Sequence, residues 1–237
     1  MVLVPEHRAE QRHRDPVRRG RVQPGGHGAL LHLVREDRAV RSGRAAPLQR
    51  HGVSGGHGTL LTLGHGRLER EELAALLTGA GIARLVDVRR HPGSRTNDAA
   101  ARGAIEEICT EAGIEHRWDE RLGGRRRLTA EEEAASPDTW WRVAQFRAYA
   151  GWTRSEEFRA GLEELRADVS RARTAVMCSE AVWWRCHRRL IADVMLLEHG
   201  AEVLDLMHSG QQRPHEPSEG ARLDEDRHVV WDGAEPA

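Results

Sequence analysis

Between Thr59 and Leu206 short apolar runs alternate with amphipathic stretches, and this alternation leaves the chain few folds to choose from. Thr59–Leu63, Arg84–Val88 and Thr174–Cys178 read as strands, Ile114–Trp118 alternates more weakly, and Glu202–Leu206 makes a fifth. The intervening segments read as helices. Leu68–Ala80 carries Leu73, Leu76 and Leu77 on one face and stops at Gly79 and Gly81. Asn97–Ala112 is capped by Asn97 or Asp98 and stopped by Gly113. Trp140–Ala150, Ser155–Val169 (opened by a capping box displaced by one residue) and Trp184–His199 complete the set. Strand–helix alternation of this kind builds a parallel sheet with right-handed crossovers. The expected fold is therefore α/β: a single Rossmann-like three-layer domain over residues 59–210, with a mostly parallel sheet of about five strands in an order that one sequence does not give.

The flanks differ in character. Residues 1–58 are dense in Arg, His, Gly and Pro, and only Ala29–Val34 is apolar, so a disordered extension is expected, with a basic arm as the alternative. Residues 211–237 read as a mostly irregular tail that could pack back on the domain. Eleven Arg against five acids give residues 1–58 a charge of +6, three Arg against seven acids give the tail −4, and residues 59–210 carry the remaining −3. The domain charge thus lends no support to nucleic-acid binding. All 36 basic residues are Arg, so no Schiff-base or P-loop lysine exists and anion contacts fall to guanidinium groups. Three cysteines do not make a disulfide framework, and no apolar run is long enough to span a bilayer. The expected location is the cytoplasm.

Ligands in parallel sheets sit beyond the carboxyl ends of the strands, and four unusual segments fall there. Gly64-His65-Gly66 follows the first strand, and Asp87-Val88-Arg89 with the loop through Arg95 follows the second. Gly123-Gly124-Arg125-Arg126-Arg127 follows the third. Cys178-Ser179-Glu180 follows the fourth and leads to Arg185-Cys186-His187-Arg188 in the expected first turn of a helix.

TLGHG at 62–66, DVRRHPGSR at 87–95, LGGRR at 122–126, FRAYAGW at 146–152 and CSEAVWWRCHRRLIAD at 178–193 resemble, in this order, the motifs of the domain-of-unknown-function family 488 (DUF488). The likeness covers about residues 59–210, with a fainter trace from Pro214–Pro217 to Val229–Trp231. It implies an α/β fold and a cysteine- and histidine-rich site, and it brings no reaction with it. Gly66 departs from the pattern, which commonly has a hydroxyl residue there.

On their own chemistry, Cys178, Cys186, His187 and Glu180 are the candidate catalytic residues. A helix N-terminus and adjacent cations favour a thiolate, so Cys186 is expected to have the lowered pKa, with Cys178 as resolving partner and Glu180 orienting or deprotonating His187. His65, Asp87, Arg89, Arg95, Arg125, Arg185 and Arg188 are the candidate anion- or substrate-binding residues, with Asp87 alternatively fixing Arg89 or His65. Trp183 and Trp184 could stack on a planar ligand or form a lid, and Cys109 belongs to the core. Three readings stay open. The first is a cysteine-dependent enzyme acting on a small anionic or nucleotide-like substrate, with no cofactor expected. The second is a nucleotide- or nucleic-acid-binding module. The third is a zinc-stabilised domain, for which Cys-x7-Cys is a loose spacing. Cysteine phosphatase and rhodanese loops place Arg six residues after the nucleophile, a position that Trp184 holds here.

Overall fold

Thr174–Cys178 is buried at every residue, which only a strand covered on both faces permits. In a computed structural model, which describes residues 58–93 and 97–234, it forms the centre of the sheet. The elements are, in chain order, β1 (Thr59–Gly64), α1 (Arg70–Gly79), β2 (Arg84–Asp87), α2 (Ala104–Glu111), β3 (Glu115–Trp118), α3 (Ala130–Ala135), α4 (Ala144–Trp152), α5 (Glu156–Arg171), β4 (Thr174–Cys178), α6 (Arg188–Leu197), β5 (Glu202–Leu206), β6 (Gln212–Pro214), β7 (Ala221–Leu223) and β8 (Val229–Trp231). The main sheet has the order β3-β2-β4-β1-β5-β6. Its first five members are parallel, and β6 is an antiparallel edge strand on β5.

Side chains alternate across the strands, so the sheet has two apolar faces. Leu60, Val86 and Val176 pack with Phe158, Leu162 and Leu165 of α5 and Leu190, Ile191 and Val194 of α6. Leu61, Leu63, Leu85 and Met177 pack with Leu73 and Leu77 of α1 and Ile105 and Ile108 of α2. The result is the expected three-layer α/β arrangement around a mostly parallel sheet, with a sixth strand beyond the five anticipated. No helix among the described residues is long and apolar enough to cross a membrane.

Two local expectations are corrected. The helix expected over Asn97–Ala112 is broken: Asp98–Ala100 make one tight turn and α2 begins only after Gly103, whose φ of 84° interrupts the spiral. Asn97 does not cap it; its amide donates to the carbonyls of Gly66 and Leu68, each at 3.2 Å. The helix expected from Trp184 is likewise split, into a tight turn at Trp183–Arg185 and α6 from Arg188, with His187 at the N-cap. The tail is irregular apart from the three-residue strands β6, β7 and β8, and it packs on the domain through Trp231, which is completely buried. α3, closed by a capping box between Thr129 and Glu132, was not anticipated. The N-terminal extension and Arg95 lie outside the described residues.

Candidate functional site

Cys178 ends β4, and β4 lies between β1 and β2 in register Gly64–Cys178 and Asp87–Met177. Their continuations run past it, pinned by His65 N donating to Cys178 O and Val88 N donating to Met177 O, both at 2.9 Å. His187 reaches this edge from the start of α6. Its Nε2 lies 3.1 Å from the Val88 carbonyl, an acceptor, so that nitrogen carries a proton and Nδ1 is turned to the two sulfurs. Nδ1 lies 3.7 Å from Cys178 Sγ and 3.7 Å from Cys186 Sγ. The three donor atoms sit within 4.8 Å of one another. Tyr149 closes one side, with its ring 5.0 Å from the imidazole and its hydroxyl donating to Leu122 O at 2.6 Å.

Two sulfurs this close carry one charge between them more readily than two. Cys178 is held well below the ordinary thiol range, chiefly by the hydrogen bond from the Cys186 thiol; burial opposes this, and His187 and the Glu180 N–H add to it. Cys186 is pushed well above that range, by burial first and then by its charged neighbour Cys178. This reverses the assignment expected from the sequence. Cys186 precedes α6 rather than lying in its first turn, and the influence of Arg188 does not outweigh burial beside a second sulfur. Cys109, in the core, is pushed up to about 12 by burial.

The site opens into a cavity of about 220 Å³, whose wall includes Cys178, Cys186, His187 and the arginines Arg89, Arg90, Arg125 and Arg185. The remaining candidates have other partners. Asp87 and Arg89 form a buried pair, with Arg89 Nη2 2.6 Å from Asp87 Oδ2 and Nη1 donating to Ala100 O at 3.0 Å. Arg188 donates to the Glu180 and Ala181 carbonyls and so holds the loop after β4 instead of lining the cavity. The Glu180 carboxylate accepts from Val182 N at 3.3 Å and does not orient His187, a role taken by the Val88 carbonyl. His65 is buried, with Nδ1 3.1 Å from Gly66 O, and burial followed by Arg89 lowers its pKa. Trp183 and Trp184 do not line the cavity: Trp183 packs edge-on against His215, and Trp184 is 52% exposed. Val88 and Arg90 lie in a segment that the sequence singles out but were given no role there, and Gln145, on the cavity wall, was missed.

Cysteine and histidine at one rim, framed by the glycine–arginine loop, match the order of motifs along the chain. A family model described as domain of unknown function DUF488 matches residues 69–195, more than half of the sequence. The chain belongs to the DUF488 family. No curated protein and no solved structure matches it. Two glycines of this DUF488 chain acquire a physical reason. Gly66, where a hydroxyl residue is common, has φ 55°, and a Cβ there would lie 2.9 Å from Ala181 Cβ and from His208 Cε1. A Cβ on Gly124 would lie 2.8 Å from His187 Nδ1. Gly124→Ala is therefore expected to displace the imidazole and slow alkylation of Cys178 by about tenfold, with overpacking costing ~1–3 kcal/mol of stability. Rates equal to wild type would show that the ring is not held against this loop.

Proposed function

We propose that this DUF488 chain is a cysteine-dependent enzyme that hydrolyses a small anionic substrate through a covalent intermediate on Cys178. The observation that carries the reading is the imidazole of His187, fixed by the Val88 carbonyl and set 3.7 Å from each of two sulfurs on the wall of an arginine-bearing cavity. A fixed imidazole and a neighbouring thiol supply what nucleophilic catalysis needs: a charged sulfur and groups that pass on a proton. The Cys178 thiolate attacks the electrophilic atom of the substrate, forms the bond to sulfur and expels the leaving group. The leaving group takes the Cys186 thiol proton, directly or through His187 Nδ1. Water then gives a proton back to this pair, attacks the electrophilic atom and releases Cys178 as thiolate. The sum is addition of one water across the cleaved bond. Arg90, Arg125 and Arg185 supply the anion contacts.

Iodoacetamide at pH 7, with the modified residue read by mass spectrometry, tests the reading. Cys178 is expected to react about tenfold faster than a free cysteine, because a free thiol is only a few per cent ionised at that pH. Cys178→Ser is expected to abolish the fast phase. A Cys178 that reacts no faster than free cysteine removes the nucleophile.

A second reading is favoured by the same three donor atoms, since a Cys2His set whose histidine donates its far nitrogen to a carbonyl suits zinc. Among the described residues no fourth His, Cys or carboxylate joins that cluster, so it fits an open site rather than a closed structural one. Elemental analysis of the purified protein decides it: one zinc per chain, released together with protection of both sulfurs from alkylation, selects the metal.

A further inference from the structure

Arg90 and Arg125 line the reactive cavity and also a second, larger one of about 720 Å³, so the two share a wall. The second cavity adds Arg126, Arg127, Arg154 and the Ser155 end of α5. Its charge is largely uncompensated. Arg154 is paired with Asp138 at 2.6 Å, and the single carboxylate on the wall, Glu132, is turned to the Thr129 N–H at 2.8 Å. Arg90, Arg125 and Arg127 have no carboxylate partner among the described residues. Arg126 is posed without one: it lies 3.6 Å over the Trp152 ring and donates to the carbonyls of Gly123 and Glu120 at 3.0 and 2.8 Å. Arg90 and Arg126 line the same cavity, and burial followed by the charge of Arg90 lowers the Arg126 pKa against the smaller opposing influence of Tyr149, Glu120 and Glu157. Arg125 holds φ 59°, an unfavourable conformation for a residue with a Cβ, which sets its side chain between the two cavities.

Guanidiniums gathered without paired carboxylates in a domain of negative net charge call for an anion larger than the reactive cavity holds. We propose that the trough of Arg90, Arg125, Arg126 and Arg127 binds the oligophosphate tail of a multiply phosphorylated small molecule, whose reacting end lies against Cys178. The orientation rests on the reading of Cys178 as the reacting sulfur; the trough itself does not. Planar guanidiniums match phosphate oxygens two at a time, and a chain of phosphates spaces its charges along a row of arginines as a single orthophosphate does not.

Calorimetric titration of the full chain with orthophosphate, tripolyphosphate and citrate tests this. Tripolyphosphate is expected to bind at least about tenfold more tightly than orthophosphate, and binding should weaken as sodium chloride is raised. Arg125→Ala with Arg127→Ala, both exposed side chains, should weaken it by about a hundredfold, roughly tenfold for each charge-assisted contact. An unchanged thermal unfolding midpoint in that double variant shows that the loss is local, and Arg127→Glu alone should show the same direction of effect. Cys178→Ser should keep tripolyphosphate binding, so failure of the thiolate chemistry and failure of the trough are read separately. Equal affinity for orthophosphate and tripolyphosphate, unchanged binding in the arginine variants, or citrate binding as tightly as tripolyphosphate would each overturn the assignment.

Discussion

Asp193→Ala is expected to lower the stability of the domain by ~3–5 kcal/mol, the usual cost of breaking a buried ion pair by removing one partner. Asp193 lies on α6 with no exposed surface, and four donors converge on it. Ser218 Oγ lies at 2.6 Å, Trp231 Nε1 at 2.9 Å, His215 Nε2 at 3.0 Å and Ser218 N at 3.1 Å. All of the donors come from the chain after β5, so this one carboxylate fastens the tail to the domain. His215 is shared with Asp205 of β5, which accepts from its Nδ1 at 3.0 Å and from Thr62 Oγ1 at 2.6 Å. Truncation to alanine leaves every donor buried and unpaired. A domain of this size should then melt roughly 6–20 °C lower. Urea unfolding followed by tryptophan fluorescence measures the cost, and a loss below about 1 kcal/mol would show that the network is not what holds the tail.

The same network gives stability a pH dependence of definite sign. Both ring nitrogens of His215 face carboxylate oxygens, so the ring donates twice and is charged. Burial lowers its pKa, but the two carboxylates outweigh burial and raise it to about 9; Arg189 also faces both carboxylates, at longer range. With the folded value above the unfolded one, the contribution is complete below the ordinary histidine range near 6.5 and is lost as pH rises through about 9. The side chain is fully buried, and the loss over that window is about 3 kcal/mol. His215→Gln should flatten this alkaline slope.

How much of this was legible in the sequence differs by element. Thr59–Leu63 and Thr174–Cys178 declare themselves because a strand covered on both faces reads as a short, predominantly apolar run without a polar face. Asn97–Ala112 misleads because its first residue finds acceptors at Gly66 and Leu68, distant in sequence and adjacent only after folding. Thr129 and Glu132 carried a readable capping box on an exposed helix without an apolar face, and hydrophobic periodicity passes over such a helix. At the site, Cys178 at the end of β4 meets Cys186 and His187 at the approach to α6, with their donor atoms within 4.8 Å of one another. The roles of the two sulfurs were not legible, because the hydrogen bonds and burial that separate them arise from the meeting of β4 with the approach to α6. Asp193 gave no signal either: a single aspartate in an apolar helix is recognisable as an anchor only when the tail's serine, histidine and tryptophan are seen around it.

Cys186→Ala should separate the two sulfurs most sharply. The Cys186 thiol is the chief reason that Cys178 ionises readily, with His187 and the Glu180 N–H contributing after burial has opposed them. Removing it leaves the Cys178 charge buried, only 7% exposed, with its main donor gone. The midpoint of the pH–alkylation curve for Cys178 should therefore move upward, and the rate at pH 6 should fall by about tenfold or more, since each pKa unit is a factor of ten in thiolate at low pH. His187→Ala should move the midpoint in the same direction by a smaller amount. Cys178→Ala has the opposite logic: Cys186 loses the neighbouring charge that raises its pKa, yet burial, the larger cause, persists, so it should remain slow. Fast alkylation of Cys186 in Cys178→Ala, with Cys178 slow in wild type, would restore the helix N-terminus as the source of the reactive thiol. The charge would then belong to the start of α6 and not to the end of β4.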